Sequence, residues 1–116
     1  MYKLVRDNIP SIMETNGQTC NYAAVQSENF YINLLRNKLV EEVEEFLASN
    51  DVAELIDIQT VLNAMLDVAK VSQEDFQKAY NDKLTVRGGF EKRYVGFFPD
   101  PTTPSRATKE MLDKAK

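Results

Sequence analysis

Apolar residues recur every three to four positions through three stretches of this chain, and clear polar breaks separate them. Tyr31, Leu35, Leu39, Val43 and Phe46 fall on one arc at about 100° per residue. The spacing predicts a long helix that Ser27 caps and that runs to about Ala48. Asp51 caps the next, with Glu54 at the capping-box position. Its arc holds Leu55, Ile58, Val61, Leu62, Met65, Val68 and Ala69, which carries it to about Lys70. Ser72, with Asp75 three residues on, opens a third, which Gly88-Gly89 stops after Arg87. So little chain separates the first two that they must form an antiparallel hairpin. Ahead of them, Asp7 or Asn8 caps a short helix that Gly17 ends, and Pro10 is tolerated in its first turn.

The remaining segments have a weaker pattern. Residues 1–5 look extended, 19–25 read as a weak strand, and 90–98 alternate well enough to pair with it. Pro99, Pro101 and Pro104 then mark a linker that leads into a polar tail. The expected fold is mainly all-α, a helical hairpin or four-helix bundle with a small two-stranded β element. It divides into a domain over 1–98 and a linker and tail over 99–116.

Several charged residues interrupt the apolar arcs. Glu42 falls between Tyr31 and Leu35 on the first long helix, Glu45 lies near Leu34, and Lys38 projects between the two glutamates. Glu44 points away with Asn33 and Asn37, and Glu41 sits on the margin. On the second helix Glu54 falls between Val61 and Met65, and Asp57 lies at the edge near Val68. Residues three apart share a helical face, so each pair directs two carboxylates at one spot. An unpaired carboxylate in an apolar arc is costly and is normally paired or metal-bound. Four such groups across a hairpin repel one another unless a cation lies between them, and a hard divalent ion such as Mg²⁺, with Mn²⁺ as a substitute, suits oxygen ligands. The plainer alternative makes Glu54 a capping-box residue and the run from Glu41 to Glu45 a solvated surface.

The third long helix carries Phe76, Tyr80, Lys83 and Arg87 in a single stripe. Two readings stand: a core-facing stripe whose cations snorkel to water, or a phosphate clamp beside the acidic groups. Lys3 and Arg6 add cations that no pattern places.

Composition narrows the chemistry. With 116 residues the chain is one domain's length. A net charge of −4 offers no electrostatic footprint for nucleic acid or an anionic membrane. There is no apolar run of spanning length and no leader pattern. A single cysteine, Cys20, excludes an internal disulfide and fits the cytoplasm; its small side chain reads as buried packing. The chain contains no histidine, which excludes histidine-based triads and His-ligated zinc.

Glu42-x-x-Glu45 followed by Glu54-x-x-Asp57 resembles the paired acidic motif of the all-α nucleoside triphosphate pyrophosphatases. These include the MazG proteins, the dimeric dUTPases and phosphoribosyl-ATP pyrophosphohydrolase. Asn81-Asp82-Lys83-Leu84 with Arg87 is similar to the downstream basic motif of MazG proteins. Tyr2-Lys3-Leu4-Val5-Arg6-Asp7-Asn8-Ile9-Pro10, with Arg87-Gly88-Gly89-Phe90, resembles the small phosphoribosyl-ATP pyrophosphohydrolase-like branch. The resemblance covers about residues 2–98. It implies a helical homodimer or homotetramer that uses Mg²⁺ to cleave a nucleotide between its α- and β-phosphates. Under it, Glu42, Glu45, Glu54 and Asp57 are the metal ligands, and Lys83 and Arg87 bind phosphate with help from Asn81 or Asp82. Lys3, Arg6 and Lys38 are further substrate-pocket candidates, and Glu45 or Glu41 is the general base. The connection from Glu45 to Glu54 is short for a MazG protein, so base selection does not transfer. A house-cleaning hydrolase of nucleoside triphosphates, the phosphoribosyl-ATP enzyme and a silent nucleotide-binding helical dimer are the competing functions.

Overall fold

The computed structural model describes residues 1–96, 113–114 and 116. Four helices occur among them: α1 (Ile9–Thr15), α2 (Glu28–Ser49), α3 (Val52–Val68) and α4 (Gln73–Arg87). Local chemistry explains most of their ends. The Ser27 hydroxyl accepts from the Phe30 N–H at 3.2 Å, the Asp51 carboxylate from Ala53 at 2.9 Å, and the Ser72 hydroxyl from Asp75 at 3.0 Å. α2 closes on Asn50, whose backbone is left-handed at φ 55°, a conformation Asn adopts more readily than most residues. α1 starts without a side-chain cap from Asn8, and Pro10 in its first turn has no N–H to leave unsatisfied. Gly17 follows it with φ 75°.

The expected β element is absent among the described residues. Residues 19–25 are irregular, and 90–93 make a turn in which the Arg93 N–H donates to the Phe90 carbonyl. Arg93 has φ 57°, which no extended strand accommodates. Tyr22, Tyr94 and Val95 are exposed, so the apolar side chains of these segments are left uncovered. An uncovered two-stranded ribbon is marginal in water. Residues 97 and 98 lie outside the described residues, as does most of the linker and tail over 99–116.

The chain separates into two compact units, Met1–Phe76 and Gln77–Lys116, with the boundary inside α4. In the first unit α2 and α3 pack as the expected hairpin across Asn50 and Asp51. Leu34, Leu35 and Val61 are buried at their seam, and Leu39, Phe46, Ile58, Met65 and Val68 are half-buried around it. Val43, Leu55 and Leu62 belong to the apolar arcs but stand exposed, because one facing helix covers only a stripe of each surface. The polar face of α3 is as expected, with the exposed Gln59 amide donating to Asn63. No α4 residue is buried. Among the described residues no helix is long and apolar enough to cross a membrane.

With so few buried side chains, each matters. Leu35 is only 2% exposed, so Leu35→Ala should cost about 2–4 kcal/mol, the usual range for a core leucine. Ser27→Ala should cost about 1 kcal/mol through loss of the α2 cap. Urea titrations of both variants against the parent check the order.

Candidate metal centre

The hairpin brings the acidic residues of α2 and α3 together. A three-residue step on each helix keeps its pair on one face, and the tight connection turns those faces toward each other. One carboxylate oxygen from each of Glu42, Glu54 and Asp57 lies within 4.8 Å of the other two. Glu42 is the deepest of them, 5% exposed in the helix interface. Its Oε1 is 3.2 Å from the Lys38 ammonium, whereas its Oε2 is buried without a hydrogen-bond partner. Glu54 Oε2 is likewise buried and unpartnered. Two buried acceptors without partners are unusual in a folded protein, and either a proton or a cation would satisfy them.

The capping-box reading of Glu54 fails on the geometry. The Ser49 hydroxyl accepts the Asp51 N–H at 3.1 Å, taking the donor that a capping-box glutamate would use. Glu54 instead turns toward Glu42 and Glu45, and its pKa is pushed up to about 7. Loss of solvation is the chief cause, followed by a carboxyl–carboxyl hydrogen bond with Glu42 and the charge of Glu45. Glu45 is exposed at the rim and stands outside the close trio.

Basic side chains ring the acids. Lys38 reaches both Glu42 and Glu41, the latter at 3.5 Å. Lys3 donates to Glu41 at 3.0 Å, which holds the Glu41 carboxyl below its usual range and raises the Lys3 ammonium. Arg6 donates to Asp57 and, at 3.1 Å, to the hydroxyl of Thr60, which itself donates to the Ile56 carbonyl. The structure thus gives Lys3 and Arg6 the positions that sequence periodicity could not. Thr60 is an additional member of the site. Its one signal in the sequence is that it stands three residues after Asp57, on the same helical face.

Lys83, Arg87, Asn81 and Asp82 lie on the part of α4 that belongs to the second unit, and all four are exposed. Asn81 accepts from Gln77 one turn back.

Glu41, Glu42, Glu45, Glu54 and Asp57 are faced by Lys3, Arg6 and Lys38. With every acid ionised, two negative charges are left over, which a single divalent cation would balance. The donors are all oxygen, with neither histidine nor thiolate in the cluster, as Mg²⁺ or Mn²⁺ prefers. The residues present fit such an ion. No protein-family model matches this chain, and no curated protein and no solved structure matches it.

The opposite shifts of Glu54 and Glu41 predict a specific pH dependence in EDTA. A carboxyl raised in the fold contributes its stability fully below about 4.5 and loses it as pH climbs through about 7. Glu41, lowered by Lys3, contributes above about 4.5 and loses that contribution on acidification. Metal-free stability should therefore fall between pH 5 and 7.5, and Glu54→Gln should flatten that fall. Lys3→Met should instead reduce the stability gained between pH 3 and 5. Denaturant titrations across pH check both, and an undiminished fall in Glu54→Gln would refute the assignment.

Proposed function

We propose that this protein is a divalent-metal-dependent nucleotide pyrophosphohydrolase, which converts a nucleoside triphosphate into the monophosphate and pyrophosphate. The observation that carries the reading is the close trio of Glu42, Glu54 and Asp57 with two buried, unpartnered oxygens. The resemblance of Glu42-x-x-Glu45 and Glu54-x-x-Asp57 to the acidic motif of the all-α pyrophosphatases supports it, as does the observed all-helical architecture.

Glu42, Glu54 and Asp57 would hold the metal. The ion, when bound, would supply Lewis-acid neutralisation of phosphate oxygens and lower the pKa of water near it. Hydrolysis requires a water oxygen to bond to phosphorus while the bridging P–O bond breaks and pyrophosphate leaves. The water's proton needs an acceptor at the rim. Glu41 is poorly suited, because two lysines hold its carboxylate and depress its basicity. Glu45 is exposed beside the cluster, and we assign it the general-base role. Lys3, Arg6 and Lys38 bring positive charge to the place where phosphate negative charge would develop. Lys83 and Arg87, with Asn81 or Asp82, enter as phosphate ligands through the motif resemblance alone.

A homo-oligomer is part of the proposal. Leu47 and Ile56, 69% and 62% exposed, join Val40, Val52 and Leu55 in leaving much apolar surface of α2 and α3 uncovered. A second copy of the same hairpin would bury it.

Millimolar Mg²⁺ or Mn²⁺ should raise the melting temperature by mass action, and a nucleotide panel should yield pyrophosphate rather than phosphate. Glu42→Gln and Asp57→Asn should abolish that release. Asp57→Asn should also weaken the metal-free fold, because it removes the partner of Arg6, whereas Glu54→Gln should strengthen it. Release of orthophosphate alone, or a melting curve indifferent to metal with and without nucleotide, would refute the reading. Light scattering at micromolar concentration should give a dimer or larger, and a monomer would remove the oligomer from the proposal.

A further inference from the structure

The segment before α1 is not a passive leader. Residues 1–6 carry no regular structure, yet their two cations reach different helices: Lys3 bonds to Glu41 on α2 and Arg6 to Asp57 and Thr60 on α3. The Tyr2 ring stands edge-on to Phe30 at 5.8 Å between centroids, and Pro10 in the first turn of α1 is buried. The segment therefore spans the mouth of the acidic cluster, anchored on both sides of it.

We infer that this N-terminal segment is a counter-ion strap whose Arg6 exchanges partners: it holds Asp57 while the metal is absent and turns to the substrate's phosphate oxygens once a divalent cation takes Asp57. This rests on the metal-dependent reading proposed for the same residues. Within the trio, Asp57 alone is paired to a cation from outside the hairpin, since Glu42 is paired to Lys38 on its own helix. A guanidinium and a divalent ion drawn to one carboxylate repel each other, so each weakens the other's hold. The release is inexpensive because the Arg6 side chain is about half exposed and an exposed ion pair is weak. Both Arg6 bonds use one terminal nitrogen, Nη2, which belongs to both bidentate edges of the fork, so a phosphate can be met bidentately only once Asp57 is given up. Glu42 Oε2 stays buried without a hydrogen-bond partner even with the strap in place. Arg6 thus couples metal loading to anion binding.

The exchange predicts opposite signs for two affinities, which a merely structural ion pair does not. In calorimetric titrations of the full chain with Mn²⁺ alone, Arg6→Gln should bind the ion about two- to fivefold more tightly than the parent. In saturating Mg²⁺, the same variant should bind inorganic pyrophosphate about tenfold more weakly, as expected for a lost charged hydrogen bond. Arg6→Lys keeps the charge without the fork, so it should retain the parent's Mn²⁺ affinity and still lose pyrophosphate binding. It also covers the case in which Arg6→Gln folds poorly. Mn²⁺ binding by the parent with unchanged or weaker binding by Arg6→Gln overturns the exchange and leaves the metal site standing, as does undiminished pyrophosphate binding by both variants. A parent chain that binds no Mn²⁺ overturns the metal reading, and the exchange with it.

Discussion

Carboxylate repulsion between α2 and α3 is the constraint around which the first unit is organised. The two helices need each other to bury Leu34, Leu35 and Val61, but the same packing forces Glu42, Glu54 and Asp57 within 4.8 Å. Apolar burial and charge repulsion therefore act across one seam with opposite signs. A chain selected only for stability would place leucine at those positions, since buried charge seldom outperforms a well-packed hydrophobe. Keeping acids there makes sense when a cation is meant to complete the seam.

The surrounding groups follow from that conflict. Lys38 answers Glu42 from one turn back on the same helix, and Lys3 and Arg6 bring two more cations from the N-terminal segment. Glu54 has none among the described residues and takes up a proton near neutral pH instead. Compensation is thus incomplete and uneven. Asp57 is held by a half-exposed arginine and Glu42 by a half-buried lysine, whereas Glu54 has its pKa pushed up to about 7. Each is a different way of lowering the same repulsion.

The exposed apolar surface belongs to the same balance. A hairpin of two helices cannot cover arcs as wide as those on α2 and α3, so Val43, Leu55 and Leu62 remain on the outside of the single chain. A site whose ligands sit on two helices is only as rigid as the packing that holds those helices together. Covering the outer faces would stiffen the hairpin and hold the acids in register for a small ion.

The sequence by itself determined the helices and the acidic face. Periods of three and four, with Ser27, Asp51 and Ser72 as caps, located α2, α3 and α4 to within a residue or two, because capping and amphipathicity are local effects. The same period put Glu42, Glu54 and Asp57 on facing surfaces. The strands expected over 19–25 and 90–98 do not form among the described residues for a related reason: alternation over a few residues describes a face, and without another layer to cover it no sheet forms. Only the tertiary structure decided the rest. It separated Glu45 from the close trio, took Glu54 out of its capping role through Ser49, and brought Lys3 and Arg6 onto Glu41 and Asp57 across 38 and 51 positions of chain. Periodicity cannot encode those pairings, because a charge on an irregular segment carries no phase, and its partner is set by where the packed helices leave negative potential unbalanced.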